Sequence, residues 1–145
     1  MAAEEVLILD ASVAVKWFSQ EPLRDKALAL RQSFLEGKVE LEAPSLMIYE
    51  VANALRYNPR YGSDEAKSSI EALENLQLTI HRFEGGLASS AVETAYRLGI
   101  TVYDAAYVAL AAARNGVMYT ADAEVVAKAS TDSVKHLAEF GEGGR

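Results

Sequence analysis

The sequence predicts an α/β fold, a three-layer sandwich in which a mostly parallel central sheet carries helices on both faces. Three observations predict it. Val6-Leu7-Ile8-Leu9 is an unbroken apolar run ending in Asp10, and a run without alternation is how a strand buried on both faces reads. Short runs of this kind then alternate with segments of helical period, as β-α units do. Finally, 145 residues, half of them apolar, are enough for one domain and one core without covalent staples.

Taken in order, Ser12 to Phe18 reads as a helix after the first strand. Pro22 to Gly37 reads as a second, with Leu23, Ala27, Leu30 and Phe34 at helical spacing and Gly37 where a C-terminal cap belongs. Val39 to Ala43 is a strand closed by Pro44. Ser45 is placed to cap a helix running to Tyr57, before Asn58-Pro59. Ser63-Asp64-Glu65 opens another helix with its acids at the favourable end of the dipole. Leu78 to Arg82 is a strand, Leu87 to Leu98 a helix ending at Gly99, and Tyr103 to Asn115 a helix ending at Gly116. Val117 to Thr120 is a strand, Ala123 to Ala129 a short helix, and Val134 to Leu137 an edge strand. Residues 1–140 therefore form the domain, and 141–145, Gly-Glu-Gly-Gly-Arg, read as a disordered tail.

Composition excludes several chemistries. With no cysteine there is no disulfide, thiolate zinc site or cysteine nucleophile, and with two histidines there is no histidine-rich metal site. No G-x-G-x-x-G follows the first strand and no Walker-type phosphate loop occurs, which argues against dinucleotides and P-loop nucleotides. No apolar run approaches a membrane span, and the acidic start is unlike a signal peptide, so the expected location is the cytoplasm. The net charge of −7 weighs against general nucleic-acid binding, because phosphate neutralisation by Lys and Arg supplies most non-specific affinity.

Most acids, among them Glu36, Glu40, Glu42, Glu71, Glu74 and Glu139, lie in polar surroundings and read as solvated surface. Four do not. Glu50 stands with Asn53 on a narrow polar stripe of a helix that is apolar over most of its circumference. Asp104 opens a helix with no further charge until Arg114. Asp10 and Asp122 each follow a predicted strand, beyond whose carboxyl ends such sheets bind their ligands. Singly, each has a structural explanation as a helix cap, a dipole partner or a surface acid. Together they carry over half of the net charge, and at an effective dielectric near 20 two such charges 4 Å apart repel by about 4 kcal/mol. Crowded carboxylates need protons or a cation, and an all-oxygen donor set suits Mg²⁺ or Mn²⁺.

Four segments around these acids carry a resemblance. They are residues 6–18 (VLILDASVAVKWF), Ala43-Pro44-Ser45 with Glu50-Val51-Ala52-Asn53, residues 101–111 (TVYDAAYVALA), and Tyr119-Thr120-Ala121-Asp122. In this order they closely resemble PIN-domain ribonucleases, in particular the VapC-type toxins of bacterial and archaeal toxin–antitoxin pairs. The resemblance spans roughly residues 5–137. It implies that Asp10, Glu50, Asp104 and Asp122 are catalytic and metal-binding acids, with Ser12, Asn53 and Thr120 as auxiliary polar groups. It further implies metal-dependent hydrolysis of RNA leaving 5′-phosphate and 3′-hydroxyl ends, a cognate VapB-type antitoxin and a homodimer.

Arg56-Tyr57-Asn58-Pro59-Arg60-Tyr61 interleaves cations and aromatics, which makes Arg56, Arg60 and Tyr61 candidate RNA or antitoxin contacts. A helix end followed by a proline turn explains the same residues structurally. Trp17 and Phe18 are a second surface on which an antitoxin could sit. Three rivals compete with the toxin reading: a catalytically inactive PIN-like binding module, an RNA-maturation nuclease, and a phosphatase of the haloacid-dehalogenase type. The last normally needs a second Asp where this chain has Ser12.

Overall fold

The computed structural model describes residues 5–141. In chain order they form β1 (Glu5–Leu9), α1 (Ala11–Ala14) running into a 3₁₀ turn (Val15–Trp17), α2 (Arg24–Leu35), β2 (Val39–Pro44), α3 (Leu46–Arg56), α4 (Ser63–Asn75), β3 (Thr79–His81), α5 (Gly85–Leu98), α6 (Val102–Arg114), β4 (Val117–Thr120), α7 (Ala123–Ala129) and β5 (Val134–His136). Of the expected tail, residues 142–145 lie outside the described residues.

The sheet order is β3-β2-β1-β4-β5, and every pairing is parallel. The sheet is thus wholly rather than mostly parallel, and the last strand takes one edge as its sequence suggested. Connections leave β1 towards β2 and β3, then jump to β4 and β5 on the opposite side. Right-handed crossovers therefore put α1–α4 on one face and α5–α7 on the other. In agreement, α2 and α3 pack on β2, while α6 lies across β1, β2 and β4. The carboxyl ends of β1 and β4 meet where the winding reverses, which is where such sheets form a crevice.

Burial follows the apolar patterns. Leu7, Ile8 and Leu9 are sealed on both sides, and α3 buries Met47, Val51 and Leu55 along one stripe. Seven consecutive residues of α6, Ala105 to Ala111, are buried because the sheet covers one side and α5 the other. Ala91 and Ala95 of α5 meet Ala105, Ala106 and Ala109 of α6, and these small side chains allow the two helices to close up.

Several expectations need correction. The segment after β1 is one α-turn continued by a 3₁₀ turn, not a full helix. Ser45 does not cap α3 through its side chain; its N–H donates instead to the His81 carbonyl at 2.8 Å, fixing α3 against β3. Asn115, not Gly116, takes the left-handed turn after α6. A Cβ on Gly116 would stand 2.7 Å from the Val6 carbonyl oxygen, so that glycine is required by close approach to β1. Trp17 is buried with its indole N–H on the Ala27 carbonyl at 2.8 Å, so it offers no surface for an antitoxin. Glu42 is not solvated surface: at 2% exposure it lies on the face of β2 that α6 covers. Arg114 binds both its oxygens, at 2.9 and 3.0 Å, and His81 Nε2 reaches Oε1 at 2.6 Å. Burial pushes this carboxyl up, but the Arg114 and His81 hydrogen bonds outweigh it and hold it below its ordinary value.

Candidate active site

Asp10 leaves the end of β1 buried, and its carboxylate does not cap the following helix. Oδ2 instead accepts hydrogen bonds from Ser12 Oγ at 2.6 Å and Thr120 Oγ1 at 2.8 Å. Ser12 Oγ also accepts the Ala121 N–H at 2.9 Å, and Thr120 Oγ1 accepts the Asp122 N–H at 3.1 Å. Two hydroxyls thus lace the end of β1 to the loop after β4. Burial raises the Asp10 carboxyl despite both hydroxyl donors, and the charge of Asp104 adds to the rise.

Glu50 sits half-buried on α3, where Tyr107 of α6 donates its phenolic hydrogen to Oε1 at 2.6 Å. Its carboxyl is raised by burial, against the Tyr107 bond, with Asp10 and Asp104 raising it further. Tyr107 is 1% exposed, and burial with the charges of Asp10 and Glu50 pushes its hydroxyl far above the usual range. It is a permanent donor at any working pH.

Asp104 lies three residues past the N-cap of α6, and its N–H is taken by Thr101 Oγ1 at 3.0 Å. Thr101 is therefore the cap, and the Asp104 carboxylate is left for other work. Burial raises it, and Asp122 is the largest charge acting in the same direction. Asp122 is exposed and does cap its helix, Oδ1 accepting from the N–H groups of Glu124 (2.9 Å) and Val125 (3.4 Å). Both explanations weighed for it in the sequence are compatible, since one oxygen caps and the other takes no hydrogen bond among the described residues.

Mutual repulsion therefore links the four acids in a chain: Asp10 and Asp104 act on Glu50, Asp104 on Asp10, and Asp122 on Asp104. As they stand, no three acidic or imidazole side chains among the described residues are close enough to share one ion. The donor set is all oxygen, which fits a hard divalent cation in kind. Asp104 and Asp122 share a recess of about 260 Å³. A larger cavity, about 680 Å³, opens between β3, α5 and α6 beside His81, Arg82 and Arg114, away from these acids.

The remaining candidates are spread more widely. Asn53 is exposed on α3, one turn beyond Glu50. Arg56 is exposed at the end of α3 and lies over the Tyr57 ring at 5.2 Å. Arg60 is exposed in a turn held by Asn58 Oδ1. Tyr61 is half-buried, with its hydroxyl donating to the Phe18 carbonyl, so it ties the loop down. Sequence reasoning missed Tyr107 as a functional group. The signal was present: a phenol three residues after Asp104, among alanines, on a helix with no room for an unpaired hydroxyl.

Residues 7–130 match the PIN domain family. The chain is 35% identical over 127 residues to Ribonuclease VapC3 of Pyrobaculum aerophilum, an alignment covering 84% of this chain and 93% of that protein. Its fold is similar to the crystal structure of PAE2754 from the same organism, with a TM-score of 0.68 and 23% identity over 93% of this chain and 85% of that one. It is also similar to VapBC2 of Rickettsia felis bound to a DNA fragment from its promoter, with a TM-score of 0.69 and 14% identity over 90% of this chain and 98% of that one.

Proposed function

The chain belongs to the PIN-domain family, and from that premise we propose that it is a metal-dependent ribonuclease, the toxin of a VapBC-type toxin–antitoxin pair acting in the cytoplasm. One observation carries the reading. Three carboxyls, those of Asp10, Glu50 and Asp104, are raised by burial and by neighbouring acids (Asp104 on Asp10, Asp10 and Asp104 on Glu50, Asp122 and Glu124 on Asp104) where the winding of the sheet reverses, an arrangement that destabilises the empty protein and is relieved by a cation.

Asp10, Glu50, Asp104 and Asp122 would hold the ion. When bound, Mg²⁺ or Mn²⁺ supplies the positive charge that lets an acidic pocket accept a phosphodiester, polarising the phosphoryl oxygen and acidifying water. The chain's own groups do the positioning. Ser12 and Thr120 fix one oxygen of Asp10, and Tyr107 fixes one oxygen of Glu50 while never releasing its own proton. The capping bonds aim Asp122 by holding Oδ1. Asn53 is an uncharged donor and acceptor for water or substrate on the exposed side of the same helix as Glu50. Single-stranded RNA is the preferred substrate, since splayed bases can be stacked and read. Several similar structures are toxin–antitoxin complexes, which supports a VapB-type antitoxin as the partner here; a homodimer is part of the same proposal.

Incubation of the purified chain with a single-stranded RNA in Mg²⁺, Mn²⁺ or EDTA tests this. Cleavage with either metal, none in EDTA, and products bearing 5′-phosphate and 3′-hydroxyl ends are expected. Cleavage undiminished by the chelator, or 2′,3′-cyclic phosphate ends, would contradict it.

A further inference from the structure

Two recesses are lined by the first turns of α6. The one beyond Tyr103 is apolar, about 230 Å³, lined by Leu46, Tyr49, Phe83, Val102 and Tyr103 among others. The other, between the α5–α6 turn and α7, is lined by Asp104, Asp122, Glu124 and Lys128, and Lys128 is the sole Lys or Arg among the described residues lining either. Lys128 Nζ lies 2.8 Å from Glu124 Oε1 and 3.4 Å from the Gly99 carbonyl oxygen. An ammonium has three donors, so one remains. The Glu124 pairing is an exposed i,i+4 pair, a kind that contributes little, and Lys128 can exchange it for a stronger anion at small cost. Glu124, Asp122 and Asp104 together keep the ammonium charged.

Resting on the ribonuclease reading, we propose that this recess is a phosphate subsite: Lys128 leaves Glu124 to hold the RNA phosphate next to the one that is cleaved. The scissile phosphate is offset by the ion among the acids, whereas its neighbour enters a rim whose other charged groups are carboxylates. Lys128 supplies the missing positive charge on the Asp104–Asp122 side, and Glu124 acts as the internal anion that occupies Lys128 until RNA arrives. No bond is made or broken at this subsite; one ion pair replaces another.

The two partners should then have opposite effects, which a mere helix staple would not produce. Affinity is read by fluorescence anisotropy of a labelled ten-nucleotide single-stranded RNA, with Ca²⁺ in place of Mg²⁺ and over a series of salt concentrations. Lys128→Met should weaken binding about tenfold, as loss of one charge-assisted contact does, and flatten the slope of log affinity against log salt by roughly 0.7. Glu124→Gln should tighten binding, since its backbone N–H to Asp122 is retained while its competing charge is gone. Lys128→Arg should restore most of the affinity. Unchanged affinity and slope in Lys128→Met, or weaker binding in both Lys128→Met and Glu124→Gln, would overturn the subsite alone. A wild-type chain that neither binds nor cuts RNA would instead overturn the ribonuclease reading beneath it.

Discussion

Thr120 shows how much of the site hangs on single hydroxyls. It is fully buried, donates to Asp10 and accepts from the Asp122 N–H, so one atom sets the distance between two elements of the site. Replacing it with valine keeps the shape but takes away the partner of the Asp122 N–H and removes one donor from the buried Asp10 carboxylate. We expect Thr120→Val to lower the unfolding free energy by about 1–3 kcal/mol and to reduce RNA cleavage, with Thr120→Ser close to wild type in both. Denaturant titration and a cleavage assay on the three proteins check this; equal stability of all three would mean the hydroxyl is idle. At this scale the sequence singled out four acids because their neighbours in the chain are apolar, and of these the structure buries Asp10, half-buries Glu50 and Asp104 and leaves Asp122 exposed. The sequence hid what each acid touches. Glu42 looked like surface because its partners, His81 and Arg114, are 39 and 72 residues away, and Tyr107 looked like core because its partner is on another helix.

Elements were readable wherever the pattern is long or the punctuation strong. The β1 run and the glycine stop of α5 at Gly99 are local properties, and they formed as expected, whereas α3, apolar over most of its circumference and so expected to be buried nearly all round, buries only the stripe of Met47, Val51 and Leu55. Ends decided by tertiary approach were not readable. Gly116 sits after a helix whose left-handed residue is Asn115, and it is small because β1 passes against it. The obstructing atom is backbone and cannot swing aside, so Gly116→Ala should force β4 away from β1 and cost about 1–3 kcal/mol, the usual range for overpacking. Asn115→Gly at the adjacent left-handed position should be neutral or slightly stabilising. Melting curves of the two variants separate these explanations, and a Gly116→Ala protein as stable as wild type would show that the strands are free to shift.

Across the whole molecule the acids set the pH response. Asp10, Glu50 and Asp104 have folded values raised above their unfolded ones, so their contribution is fully present below the unfolded values, about 3.9 for Asp and 4.3 for Glu, and is lost as pH rises through the raised ones. Glu42 runs the other way: its value is lowered, so its contribution is present above the unfolded value and lost as pH falls through the folded one. In EDTA the melting temperature should therefore rise as pH falls from neutrality through the raised carboxyl values and drop again in stronger acid, as Glu42 is protonated. Asp10→Asn should flatten the neutral limb, and Mg²⁺ at 100 times its dissociation constant should stabilise the wild type by about 2.7 kcal/mol at pH 7. A melting temperature that climbs towards pH 7 in EDTA would mean the acids are not crowded.

The central claim, that these carboxylates serve cleavage rather than folding, is tested most directly at Asp104, because its helix is capped by Thr101 and does not need its carboxylate. The measurement is the rate at which Asp104→Asn cleaves a single-stranded RNA in saturating Mn²⁺, beside a wild type of matching circular dichroism. The account predicts a folded variant slowed at least about a hundredfold, the scale on which one positioned acid–base or electrostatic group acts. Turnover equal to wild type would contradict it.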